Sequence, residues 1–409
     1  MVQSLMILRR DRSGVRAIEH DRPTLFTRAF VTVAIAELAY FTADGVLLPS
    51  LPRFVQGPLG GGDGAVGLVI GAFSVSAFLL RPWAGRVADE RGRRVLMVAG
   101  ASIFAVSVGG YLVAGSIPVL VAMRLLTGVG EAMFFVAALA ANVDLAPPSR
   151  RGEAFSFASL ALYLGIGAGP FIGEAVIEQF GFRAAWLVSI GFAVGAAGLA
   201  LRLPAMRPDG AEEPVRHRLV HRAGLLPGVV LLTAIWGMAG FLAFVPLYAL
   251  DLGMGGAGLA LGLFAGVVVL IRSVGATIPD RIGPARATRV ALALTALGLA
   301  VIGLWREPAG LLVGAAVLGL GVALFTPALF TIAVTGVPAN ERGGVMGTTS
   351  AFLDVALGVG PVTLGLAAGA VGRGGTFLAG AAVAVAGLAL VLVTKLGRGA
   401  PERSPSQDP

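Results

Sequence analysis

A chain of 409 residues that is 56% hydrophobic and 13% charged, with a mean hydropathy of +0.86, can satisfy most of its backbone only as helices in lipid, which excludes soluble folds. The absence of cysteine removes disulfides, thiolate nucleophiles and cysteine metal sites together. A net charge of +8 could serve a nucleic acid, but the arginines sit between apolar spans, where topology accounts for them, and no nucleic-acid partner is expected.

Residues 1–28 form an expected cytoplasmic segment. Arg9, Arg10, Arg12, Arg16 and Arg22 follow a short apolar run over 5–8, the wrong order and too short for a cleavable signal, so the first helix is expected to stay in the mature protein. Apolar spans of about 20 residues, each about 30 Å long as helix, are predicted at 29–48, 65–83, 95–115, 119–143, 154–176 and 184–203. The polar stretch 204–227 reads as a cytoplasmic linker. Spans resume at 228–248, 259–278, 287–304, 309–334, 345–366 and 376–396, and a polar tail, 397–409, closes the chain.

The expected fold is all-α and membrane-integral, with twelve transmembrane helices as two six-helix repeats over 29–203 and 228–396. With both termini inside, the outer loops hold only Arg53, Arg183, Arg306 and Arg373 of the 31 basic residues. The positive-inside rule then places both termini in the cytoplasm of a multi-pass protein in the inner membrane.

Residue identities recur at a fixed offset of 191 positions. Arg81, Asp89 and Gly92 return as Arg272, Asp280 and Gly283, and Gly128 and Gly130 as Gly319 and Gly321. Further on, Pro147, Arg151 and Gly152 return as Pro338, Arg342 and Gly343, and Gly169 and Pro170 as Gly360 and Pro361. A gapless offset in an apolar chain is the signature of a transporter built from two copies of one unit.

The strongest local motif is GRVADERGRRVL, 85–96, in the tight loop between the second and third spans. Gly85 permits close helix approach, Asp89 supplies an anion able to face a helix N-terminus, and Arg91, Arg93 and Arg94 stay with the inner leaflet. This loop resembles the signature of the major facilitator superfamily, with Gly85, Asp89, Gly92 and the basic pair Arg93 and Arg94 in place. The resemblance implies a switch loop that locks two halves on the cytoplasmic side, with Asp89 facing the start of the eleventh helix near 342–345. An ordinary basic topogenic loop is the plain alternative. The echo at Asp280 is weaker, because Pro284 and Ala285 replace the basic pair.

The fifth span carries GIGAGPFIGE, 165–174, similar to the Gly-Pro motif of that family's antiporters. Gly165, Gly169 and Gly173 permit close packing, and Pro170 removes a backbone hydrogen bond, so a kinked, tightly apposed helix is expected. Glu174 stands where the motif usually has a second Gly, and Gly360-Pro361 repeats the feature, so an architectural reading stands beside the antiporter one.

Charge inside spans is costly and suggests a polar cavity or ion pathway. Glu37 and Asp44 in the first span, and Arg124 and Glu131 in the fourth, are each seven residues apart and share a helix face. Predicted depths pair Asp44 with Arg124 and leave Glu37 and Glu131 without a cation, where a buried carboxyl tends to hold a proton. A static ion pair and a structural hydrogen bond are the alternatives. Drug and proton antiporters of the similar family use acids in the first helix and an Arg in the fourth, which maps onto Glu37, Asp44 and Arg124. Asp354, opposite Tyr163 at the 191 offset, is the candidate from the second half.

His20, His217 and His221 all fall in cytoplasmic segments, and no metal or other cofactor is expected. Aromatics such as Tyr40, Phe41, Phe134, Phe135, Tyr163, Trp236, Phe244, Phe325 and Phe330 are candidates to line a cavity, to pack, or to face lipid. No membrane nucleophile, metal site or phosphate-binding Gly-Lys loop points to an enzyme or to ATP-driven transport. The expected function is secondary transport by alternating access, proton-coupled efflux of amphipathic or cationic small molecules by a monomer in the bilayer. A proton symporter or uniporter for a polar nutrient is the alternative, as is a transport-inactive sensor on the same fold.

Overall fold

The computed structural model describes residues 25–147, 150–206, 220–274, 282–338, 341–394 and 396. Among the described residues every regular element is a helix: α1 (Arg28–Gln56), α2 (Asp63–Arg91), α3 (Arg93–Tyr111), α4 (Ile117–Leu145), α5 (Arg151–Leu201), α6 (Arg222–Asp251), α7 (Gly258–Val274), α8 (Pro284–Leu304), α9 (Pro308–Val334) and α10 (Arg342–Thr394). All except the shorter α7 are long and apolar enough to cross a membrane. Asp280, His20, His217, the tail from 397 and most of the expected linker lie outside the described residues.

Local chemistry sets the helix ends. Thr27 Oγ1 accepts from the Phe30 amide at 3.2 Å and caps α1, while α4, α8 and α9 each carry proline in the first turn, where no donor is lost. Gly92 and Gly283 precede α3 and α8 with φ of 92° and 83°, a region that favours glycine, and they are one 191-residue offset apart. The same offset relates Gly181 (φ 78°) and Gly372 (φ 70°), the two non-helical residues inside the long α5 and α10. Each of those helices therefore changes course where the sequence predicts a loop between two spans.

Two boundaries differ from expectation in a way that matters. α1 continues eight residues beyond the predicted end because its buried apolar face does, through Leu47, Leu51 and Val55, despite Pro49 and Pro52. α6 begins at Arg222, ahead of the predicted 228, with the His221 ring accepting from the Ala223 amide.

Glycine lets backbones approach where no side chain could fit. Gly165, Gly169 and Gly173 of α5 lie against α1, and a Cβ added at Gly169 would meet the Gly45 carbonyl carbon at 2.5 Å and its Cα at 2.6 Å. One added at Gly173 would meet the Val46 carbonyl oxygen at 2.8 Å. The 165–174 motif is thus the seam between α1 and α5, and α5 stays helical through Pro170. Overpacking such a contact costs about 1–3 kcal/mol. Gly169→Ala should therefore lower the thermal unfolding midpoint in detergent, whereas Gly198→Ala, with open space around it, should not; equal midpoints would show that the seam can relax.

At the bundle end remote from Arg28, several contacts join helices of the first half to helices of the second. Arg373 bonds Asp63 at 3.0 Å and Gln56 at 2.7 Å across the halves, and Asp251 at 2.7 Å within the second. The Glu174 carboxylate accepts from the Ala257 amide at 2.5 Å and the Gly258 amide at 2.8 Å, at the N-terminus of α7, where the helix dipole favours an anion. Gly67 packs on Pro361, and Gly365 on the Asp63 carbonyl, so α2 and α10 close together along the same end.

Candidate functional site

Between the halves lies a cavity of about 460 Å³ with walls from α1, α2, α3, α4, α5, α6, α7, α9 and α10. Apolar side chains dominate it, and six charged residues, Glu37, Asp44, Arg81, Arg124, Glu131 and Arg272, also line it. Of the aromatics singled out in the sequence, Tyr40, Phe41, Phe135, Tyr163 and Phe330 face it. Phe134, Phe244 and Phe325 are fully buried packing residues instead, Phe134 stacked on Tyr40 with centroids 4.0 Å apart.

The charges pair differently from the expectation. Asp44 and Arg124 form no ion pair; Arg124 donates to the Val69 carbonyl at 3.1 Å and the Ile70 carbonyl at 3.2 Å, with its guanidinium over the Phe73 ring. The longer α1 explains this. Asp44 sits twelve residues from its end, about 18 Å, against seven residues, about 10 Å, for Arg124 in α4. Asp44 faces the cavity.

Glu131 has a cation after all. Arg81 of α2 lies 3.7 Å from Glu131 of α4 and 2.8 Å from Asp354 of α10, with its guanidinium over the Phe135 ring, and so it ties the first half to the second. Asp354 is almost fully buried, so this contact is where its charge is compensated. Arg81 entered the sequence reading only as a repeat partner of Arg272. An Arg near a helix end looks like a snorkelling anchor until its partner helices are known.

Glu37 has no cation in contact among the described residues, and on the cavity wall Asp44 shares that condition. Glu37 Oε1 accepts from Asn142 Nδ2 at 2.8 Å, while its Oε2 is buried with no partner, and so is Asn142 Oδ1. A charged carboxylate would leave its charge uncompensated there, and a proton would neutralise that charge. Asn142 carried no signal in the sequence reading, since an Asn in an apolar span declares itself only through its partner.

The 85–94 segment ties together elements of the first half. Arg93, buried, pairs with Asp89 and with Asp144 at 3.1 Å, and its amide donates to the Met206 carbonyl at 3.0 Å; Arg94 donates to the Leu203 carbonyl at 3.2 Å. Asp89 does not contact the start of α10 in this conformation among the described residues. A Cβ added at Gly85 would have open space around it, so Gly85 makes no close helix contact in this conformation. His221 bonds Glu341, and no group of three metal-capable side chains exists among the described residues.

A model of the Major Facilitator Superfamily matches residues 33–347. The chain belongs to that superfamily. It is a multi-pass membrane transporter, not an enzyme, and it moves small molecules by secondary transport. An uncharacterised superfamily transporter of Salmonella typhimurium is 31% identical over 88% of this chain and 94% of its own. YhhS of Escherichia coli, also uncharacterised, is 28% identical over 92% and 94%. Two solved structures share the fold alone: the human organic anion transporter MFSD10, with a TM-score of 0.69 and 20% identity over 90% of this chain and all of that one, and a bacterial homologue of the human lysosomal transporter Spinster, with a TM-score of 0.76 and 13% identity over 91% and 98%.

The pairing in this major facilitator cavity predicts a coupling pattern. Arg81→Ala strands the buried Asp354 and should cost about 3 kcal/mol, with much of that recovered in Arg81→Ala/Asp354→Ala. Asp44→Ala and Arg124→Ala should be close to additive. Unfolding of the purified variants in detergent measures both cycles, and additivity at Arg81 and Asp354 would contradict the pairing.

Proposed function

We propose that the chain is a twelve-span, two-repeat exporter that couples efflux of amphipathic or cationic small molecules to proton entry by alternating access. Counting α5 and α10 as two spans each gives the twelve, and the offset-matched Gly181 and Gly372 support the two repeats. In this reading the protein is a monomer in the inner membrane with both termini in the cytoplasm. The contacts of Arg373, Glu174 and the α2–α10 glycines then lie on the outer side, and the described conformation faces inward.

The observation that carries the proton coupling is Glu37: a carboxyl lining the cavity, almost fully buried, hydrogen-bonded to Asn142 and without a cation. Such a group can bind and release one proton as cavity hydration changes between states. Glu131, beside Arg81, is the alternative carrier: a proton there would leave Arg81 to Asp354 alone. Reciprocal linkage follows if substrate favours the deprotonated form, because the proton must then disfavour substrate by the same factor.

Glu37→Gln mimics the protonated acid. In proteoliposomes, with a ligand taken from a thermal-shift screen across compound classes, it should abolish pH-gradient-driven transport and retain ligand exchange. Full gradient-driven transport in both Glu37→Gln and Glu131→Gln would make the acids structural. Asp89 is proposed to act when the cytoplasmic side closes, by meeting the N-terminus of α10. Asp89→Asn should then shift the balance towards the inward-facing state without loss of insertion. The chain has no natural cysteine, so single introduced cysteines report this directly, and unchanged labelling on both sides would remove the role.

A further inference from the structure

Arg81 and Arg272 are 191 positions apart, and so are Tyr163 and Asp354. The structure turns this arithmetic into two counterpart contacts between the halves. Arg81 of α2 reaches Asp354 of α10 at 2.8 Å. Arg272 of α7 reaches Tyr163 of α5, its guanidinium carbon 4.9 Å from the ring centroid. One arginine meets a carboxylate and the other meets a ring at the matching position. The second acid of Arg81, Glu131, also has an uncharged counterpart, Val322.

Arg272 is therefore left without either acid. Among the described residues it has no ion pair and no hydrogen bond, and its Nε is buried without a partner. A ring face offsets part of the charge but fills none of the five N–H donors, and unfilled donors in a mostly apolar cavity are costly. Arg272 is also the one charged residue that the described second half contributes to the cavity wall, among apolar neighbours that include Ile235, Met238, Leu242, Phe264 and Phe330. The carboxylates of Glu131 and Asp354, by contrast, are already held by Arg81.

We infer that Arg272 is the anion-binding group of the substrate site, and that the substrate is an amphipath whose polar end is a carboxylate or similar planar oxyanion. That group takes beside Arg272 the place that the Asp354 carboxylate takes beside Arg81, as a charge-assisted and potentially bidentate contact. The Tyr163 ring holds the guanidinium flat, and the apolar body lies along the second-half wall. This narrows the amphipathic branch of the proposed function and rests on the cavity being the substrate site.

The test uses the purified full chain in maltoside micelles and three probes of one shape: 1-naphthaleneacetate, 1-naphthylmethylamine and 1-naphthalenemethanol. The acetate should bind about tenfold or more tighter than the other two, and Arg272→Gln should remove that advantage while leaving the alcohol within about twofold. Tyr163→Asp supplies the missing carboxylate in cis, so it should pair with Arg272 and abolish selective acetate binding; Tyr163→Phe should not. This second route keeps the test decisive if Arg272→Gln fails to fold. Tightest binding of the amine, or acetate binding indifferent to both Arg272→Gln and Tyr163→Asp, overturns the inference while leaving proton-coupled efflux standing. Failure of all three probes to bind counts against the cavity as an amphipath site, and against this inference with it.

Discussion

Hydrocarbon offers the backbone no hydrogen-bond partner, and that constraint orders everything else in this molecule. Each span must close its own hydrogen bonds as helix, so the described residues form helices and their connections. Helices in lipid gain little from burying apolar side chains against one another, and close packing decides their association. The glycines of the α1–α5 seam supply it, bringing Gly169 against the backbone of Gly45.

The same constraint sorts the charges. A charge in lipid must find a partner, reach the interface, or line a cavity. Arg81 takes the first course with Glu131 and Asp354, Arg124 places two donors on backbone carbonyls, and Glu37 shares a hydrogen bond with Asn142. Among the described residues, the charges on the wall left without an ionic partner or a side-chain hydrogen bond are few and so informative: Asp44 from the first half and Arg272 from the second. A cavity this apolar with so few free charges suits a ligand that is itself mostly apolar with one polar end.

The end remote from Arg28 is held by polar contacts that can be exchanged for water. Arg373 binds groups from three other segments, and Glu174 sits at the N-terminus of α7. Contacts of this kind are geometrically specific yet modest in net strength, because water can replace each partner once the groups separate. A transporter needs such a closure, firm enough to seal and weak enough to open.

Composition and pattern alone determined the membrane solvent, the all-helical class and the family motif of 85–96. They also placed the 191-residue offset, whose glycines 92, 181, 283 and 372 reappear with matching positive φ. These features are written in single residues or short windows, which is why they could be read. Only the tertiary structure decided the charge pairing. Sequence spacing places a residue on a helix face and at a depth, but an eight-residue error at the end of α1 moves that depth by about 12 Å, enough to separate Asp44 from Arg124. Nor does spacing say which neighbouring helix a long side chain will cross to meet. The partners of Arg81 and Arg272 emerged only where α2 meets α10 and α5 meets α7, because a contact between helices is a property of two faces at once.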